Sequence, residues 1–255
     1  MRIVFAFLLV LSITSACRGE LIHHYQFTSN ANDSVGTAHL TLGGDAVVTG
    51  GVLRLDGNTD WASVSSPIIP VTGSYTLALY ARWADSTPRL MEMVSQDGTY
   101  NVYDKFYLGM GNDGKMRVSD QWTTTGVEYP LDQQFHHIAE TSSLSEGVTK
   151  LYIDGVLKAT NNSHLNLSAS GSTYFGRQYG GLTEYFEGDL DDIRIYNNAL
   201  TAGQIGQIAG VPEPGSLAMA GVAALVWIAS CFRRLRDRVR AQLRAVFQRK
   251  APGAV

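Results

Sequence analysis

The chain has 255 residues, 45% apolar and 17% charged, a globular balance with room for one sizeable core. The net charge of −3 hides a segregation: between Glu20 and Gly210 there are 21 Asp/Glu against 10 Lys/Arg, while Arg233 to Lys250 carries eight Lys/Arg and one acid, Asp237. An acidic body argues against nucleic acid as a partner, because phosphates need a cationic face. Cys17 and Cys231 lie in apolar segments at the two ends, so no disulfide can staple the body between them.

Residues 1–19 read as a secretory signal peptide. A single Arg2 precedes the apolar run Ile3–Ile13, which is too short to span a bilayer, and small residues follow. Cleavage near Ala16 or Gly19 is the expectation. Thr14-Ser15-Ala16-Cys17 offers lipidation of Cys17 as the alternative, with Thr14 in place of an aliphatic residue.

The body, residues 21–208, alternates short runs with turn signals: Gly43-Gly44, Asp56-Gly57, Asp97-Gly98, Asp113-Gly114, Asp154-Gly155 and Gly180-Gly181. Strands are predicted at Gly51–Leu55, Tyr75–Trp83, Lys115–Ser119, Lys150–Ile153 and Asp191–Tyr196, giving an all-β antiparallel sandwich. Lys150–Leu157 reads as a hairpin, since Asp-Gly supplies the positive φ values of a tight two-residue turn. A short helix is expected at Thr201–Ile208, with Thr201 and Gln204 as a capping box and Leu200 and Ile205 as its staple.

After a linker at 209–215 comes Ser216–Phe232, an uncharged stretch reaching about 25 Å as a helix and predicted to cross the membrane. Arg233 and Arg234 can snorkel and fix the far end in the cytoplasm. Residues 233–255 form a basic tail in which Leu235, Val239, Leu243 and Val246 recur at helical spacing, suited to an anionic inner leaflet.

Two resemblances follow from these residues. Pro212, Glu213 and Pro214, then the span, then Arg233 and Arg234, resemble the PEP-CTERM sorting signal of bacterial exported proteins. That resemblance implies recognition by an exosortase-type enzyme, first anchoring in the inner membrane and then delivery to the envelope surface or extracellular matrix. In the body, Leu53–Val64, Phe135-His136-His137-Ile138-Ala139, Leu151-Tyr152-Ile153-Asp154-Gly155 and Phe186–Leu200 resemble, in order, four segments of LamG-like domains. The fold implied is a concanavalin A-like jelly roll. Phe135 stands where the family usually has Trp, and the disulfide of some relatives is missing.

Asp191 falls in phase with Ile193 and Ile195 and so is expected on the core face, where a carboxylate must be paired or metal-bound. It would either accept backbone N–H groups or help hold a structural Ca²⁺ with carbonyl oxygens of the N-terminal segment, and the resemblance favours calcium. Asp33 is the second metal candidate. A bulge before Ile193 would reverse the facing of Asp191.

Glu187-x-Asp189-x-Asp191 is superficially similar to the acid pairs of retaining glucanases with this fold, but it falls in the last strand region, where the structural reading is preferred. His136 and His137, like His23 and His24, are adjacent and so face opposite ways in a strand. No Ser-His-Asp spacing and no zinc signature is legible. Trp61, Trp122, Tyr179 and Tyr185 are ligand-stacking candidates, with core or rim packing as the alternative; Tyr100, Tyr103 and Tyr107 also fall near turns or strand ends. The expected role is a non-enzymatic surface or matrix adhesion module for polysaccharide or glycoprotein, a ligand class taken from the resemblance. The alternatives are a glycan-cleaving enzyme on this fold and a structural matrix protein that binds no glycan.

Overall fold

The computed structural model describes residues 19–70, 72–97, 105–119, 121–165, 171–179 and 184–210. The signal peptide, Cys17, Tyr100, Tyr103, the Pro212-Glu213-Pro214 motif, the predicted span and Arg233 and Arg234 lie outside those residues. Among the described residues no helix is long and apolar enough to cross a membrane.

Two antiparallel sheets pack face to face. Along the chain the strands are β1 (Leu21–Tyr25), β2 (Thr41–Gly43), β3 (Val47–Thr49), β4 (Val52–Asp56), β5 (Trp61–Val64), β6 (Tyr75–Trp83), β7 (Met91–Gln96), β8 (Phe106–Met110), β9 (Met116–Val118), β10 (His136–Ser143), β11 (Val148–Ile153), β12 (Val156–Asn161), β13 (Thr173–Phe175) and β14 (Glu187–Tyr196), followed by helix α1 (Ala202–Ile208). The eight-stranded sheet runs β12-β11-β10-β6-β14-β4-β3, with β1 also on β14; the six-stranded sheet runs β2-β5-β13-β7-β8-β9. β14 is long enough to serve two partners on one edge: β4 takes Glu187 to Leu190, and β1 takes Ile193 to Tyr196.

Period-two alternation builds the core. Leu53, Leu55, Leu77, Leu79, Trp83, Ile138, Leu151, Leu190, Ile193 and Ile195 from the larger sheet meet Ala62, Val94, Phe106, Leu108, Met110, Val118 and Phe175 from the smaller one. Burying side chains of this size stabilises by about 1.5–3 kcal/mol each before entropy is charged against it. The Asp154-Gly155 turn is as expected, with φ of 52° and 73°, and Ile153 pairs with Val156 across it.

Strand β6 shows how one sequence serves two surfaces. Leu77, Leu79, Ala81 and Trp83 enter the core, while Thr76, Ala78, Tyr80 and Arg82 point outward. The outward residues are small at one end and large at the other. Ala78 and Ala139 leave room for α1, whose Ile205 is fully buried against them with Tyr152, Tyr196 and Leu200. The Thr201–Gln204 capping box forms as expected. Toward the other end of β6, Tyr80 and Arg82 remain uncovered by the helix and line surface cavities.

The chain enters and leaves the sandwich at one place. The Asn197 amide donates to the Glu20 carbonyl at 3.1 Å, and its side chain donates to the Glu20 carboxylate at 3.0 Å.

Candidate functional site

Asp191 does not face the core. Opposite Tyr80 and Ala78 of β6, strand β14 places Asp191 and Arg194, one residue more than regular pairing allows. The extra residue is a bulge, and Asp192 takes the strain at φ 47°, a left-handed conformation an aspartate tolerates better than a branched residue. The bulge reverses the facing: Leu190 and Ile193 enter the core, while Asp191, Asp192 and Arg194 line an outer cavity. Burial and the neighbouring Asp192 push the Asp191 carboxyl up, and its Oδ1 accepts the Asp192 amide at 2.7 Å.

Asp33 is buried elsewhere and is saturated by donors. Its Oδ1 accepts the amides of His24, Val35 and Gly36, and its Oδ2 accepts His23 Nδ1 at 2.6 Å and the Ala38 amide. Burial would raise its pKa, but the His23 ring and these amides outweigh it and hold the carboxyl at about 2. A carboxylate so occupied has no oxygen to turn toward a cation. Among the described residues no three His, Cys, Asp or Glu side chains gather in a way that would hold a metal. Asp33 and Asp191 thus lie in different surroundings, the first beneath ring and backbone donors and the second beside Gln26 and Thr28 of the N-terminal segment.

The adjacent histidines diverge as the strand geometry requires. His23 goes to Asp33, while His24 Nε2 meets Asp192 Oδ1 at 2.6 Å, and Arg194 closes on the same carboxylate at 2.8 Å. His136 is held between Asp154 and Asp132, at 2.7 and 3.0 Å. His137 lies edge-on to Tyr80, ring centroids 5.1 Å apart. Burial, then Arg194, lowers its pKa to about 4, so it is neutral at pH 7. Its Nδ1 finds no hydrogen-bond partner in the structure.

The acid triplet resolves into separate tasks. Glu187 pairs with Arg89 at 3.2 Å. Asp189, whose side chain is 4% exposed, is gripped from both sides: Arg54 Nε reaches its Oδ1 at 3.0 Å, and Arg82 reaches its Oδ2 through Nε at 3.0 Å and through a terminal nitrogen. Both oxygens of this carboxylate are engaged by guanidinium groups, which leaves it a bracing role between two strands. Structural pairing, the preferred reading of the triplet, is what these contacts describe.

Those pairs belong to a row that crosses the outer face of the eight-stranded sheet. Arg54 is opposite Asp189, Asp189 is opposite Arg82, and the Arg82 guanidinium lies 5.0 Å from the ring centroid of Phe135. Four strands or strand ends thus contribute one residue each. On one side of the row a cavity of about 580 Å³ is lined by Asp45, Asp56, Asp60, Glu187 and the two arginines, among others. On the other side a cavity of about 400 Å³ is lined by Tyr80, Phe135, Asp191, Asp192 and Arg194 with Gln26 and Thr28. Phe135 is 39% exposed, and the Arg54 and Arg82 side chains are 55% and 39% exposed. Donors, acceptors and one partly exposed ring therefore converge on two adjoining hollows.

The predicted aromatics lie elsewhere. Trp61 leans over Gly43, where a Cβ would overlap the indole. Arg177 stacks 4.8 Å from the Trp61 ring and 4.4 Å from Tyr174, which meets the indole edge-on. Tyr179 is buried under Lys105, at 4.4 Å. Trp122 closes a turn on Val118 and Ser119 and packs against the core. Tyr185 is half-buried, next to the fully buried Phe186. Trp61 and Tyr179 are thus capped by cations rather than offered to a ligand.

Asp189 and Phe135 were noted from sequence for other reasons, but Arg54 and Arg82 were not singled out, although the signal was present. Arg54 and Arg82 are charged positions interleaved with core leucines, alanine and tryptophan, which marks them as the outer face of their strands.

Residues 56–206, more than half of the chain, match the family model described as the concanavalin A-like lectin/glucanases superfamily, laminin G type 3. The chain belongs to that superfamily. Residues 210–234 match the PEP-CTERM protein-sorting motif, which marks this superfamily member for export sorting to the cell envelope. No curated protein matches it. Among solved structures, domain 4 of AbnA, a GH43 extracellular arabinanase from Geobacillus stearothermophilus, in complex with arabinotriose, aligns at TM-score 0.59 and 22% identity, covering 75% of this chain and 98% of that one. The receptor-binding domain of botulinum neurotoxin C/D mosaic serotype aligns at 0.54 and 17%, covering 74% and 51%. A botulinum neurotoxin type C structure, whose cell entry depends on interaction with two ganglioside molecules, aligns at 0.57 and 14%, covering 74% and 50%. The chain spans about half the length of these toxin structures. At such identities the likeness is one of fold.

Proposed function

We propose that this protein is an exported glycan-binding module of the cell surface or extracellular matrix, taking polysaccharide or glycoprotein carbohydrate on the outer face of its eight-stranded sheet. The observation that carries the reading is the row Arg54–Asp189–Arg82–Phe135 with a hollow on either side. Buried Asp189 fixes two arginines that stay partly exposed, and fixed planar donors beside a partly exposed ring suit a sugar's hydroxyl edge and apolar face. Carbohydrate-binding neighbours of the same fold agree with it: the arabinanase domain holds arabinotriose, and the type C toxin uses gangliosides.

Residue 20 lies against residue 197, so the chain enters β1 beside the Tyr196 end of β14. Asp189 sits seven residues up that strand, about 20 Å away. The domain is tethered through its C-terminal sorting segment and processed by an exosortase-type enzyme.

The test is a glycan array probed with the full chain in mild detergent, beside Arg82→Ala and Phe135→Ala. Binding that both variants weaken supports the site. Absence of any glycan binding by the parent protein, together with self-association, supports the structural-matrix role instead.

A further inference from the structure

We propose that this row selects neutral, hydroxyl-rich glycans and discriminates against those bearing uronate or sulfate groups. The inference rests on the glycan-binding reading above and adds a charge class to it. Two half-exposed arginines suggest an anion site at first sight, but their charge is already spent. Arg54 commits Nε to Asp189, and Arg82 commits Nε and a terminal nitrogen to the same carboxylate. Asp45, Asp56, Asp60 and Glu187 line the same hollow. Even with Arg89 counted through its pair with Glu187, five carboxylates face three guanidinium groups. The second hollow adds Asp191 and Asp192 against Arg194. The far field has the same sign, since 21 acids stand against 10 bases between Glu20 and Gly210. An anionic sugar seated here would lie within a Debye length of several like charges.

A neutral hydroxyl meets a better match, because it both donates and accepts. The outer N–H groups of Arg54 and Arg82 supply donors. Asp56 Oδ1 is taken by the amides of Asn58, Thr59 and Asp60, and Asp60 by those of Asp45 and Asp56. The acceptors left to a sugar in this hollow include Asp56 Oδ2 and the carboxylates of Asp45 and Glu187. Phe135 offers the apolar surface that a pyranose or furanose C–H face requires.

The experiment measures retention of the full chain, in mild detergent, on immobilised arabinan, galactan and glucan and, in parallel, on polygalacturonate, alginate and heparin, at low and high salt. The expected result is binding to at least one neutral polymer, about tenfold or more tighter than to any acidic one at low salt, with the gap narrowing as salt screens the lining. Glu187→Gln, checked for folding by circular dichroism, should narrow the gap at low salt. An acidic polymer held as tightly as the neutral ones at low salt overturns the charge preference and leaves glycan binding standing. Retention on neither class overturns the proposed function itself, so the two failures are distinct.

Discussion

The two outer faces of the sandwich put the same kinds of residue to different use. On the six-stranded sheet, cations lie on rings: Arg177 on Trp61 and Tyr174, Arg117 on Tyr107, Lys105 on Tyr179. Glu92, Ser95 and Tyr107 on that face are fully buried. On the eight-stranded sheet, α1 covers one half, and the other half keeps arginines and a phenylalanine at the surface, with carboxylates braced behind them. Tyr107 and Tyr179 lie buried beneath their cations, whereas Phe135 and the Arg82 above it both stay more than a third exposed, the guanidinium braced by Asp189. The first arrangement closes a surface and the second prepares one.

Proton linkage sharpens the contrast most. Glu140 points into the core beneath the larger sheet, with Tyr75 donating to its Oε1 at 2.7 Å, and burial pushes its pKa up to about 8. A raised carboxyl pKa stabilises fully below the unfolded value near 4.5 and loses that contribution as pH rises through 8, on the order of 4 kcal/mol. His137, on the outer face, works the other way: its folded pKa of about 4 lies below 6.5, so its contribution is complete above 6.5 and is lost as pH falls through 4. Urea midpoints against pH should therefore show a plateau between about 4.5 and 6.5, falling on both sides. Because the plateau is the cancellation of two opposite slopes, Glu140→Gln should remove the alkaline fall and leave stability rising with pH from about 4 to 6.5, and persistence of that fall in the variant would discard the assignment.

Next in size is Arg117→Met. Arg117 stacks on Tyr107 and sits 3.4 Å from the fully buried Glu92. Removing the cation from beside that carboxylate should cost about 3 kcal/mol of unfolding free energy and leave glycan retention unchanged. A loss of binding without loss of stability would exchange the roles of the two faces.

Phe135→Ala is the converse experiment. Its ring is partly exposed, so stability should move by less than about 0.5 kcal/mol, while glycan affinity falls about tenfold, or roughly 1.4 kcal/mol. The smallest effect belongs to the covered half of the larger sheet: Thr201→Ala removes the N-cap of α1 and should lower stability by about 1 kcal/mol, with no change in binding.

Sequence by itself determined a good deal of this protein. Alternating apolar residues required strands with one buried face, Asp154-Gly155 required a tight turn, and Thr201 with Gln204 required a helix start, because each of these is a local preference of backbone and side chain. Tertiary structure decided the rest. The bulge that turned Asp191 outward arises from pairing with β6, more than a hundred residues earlier in the chain. The row from Arg54 to Phe135 exists only because four distant segments share one register, and the capping of Trp61 depends on where Arg177 falls. Register and bulges are set by contacts between strands, and a single strand's sequence carries no record of its neighbours.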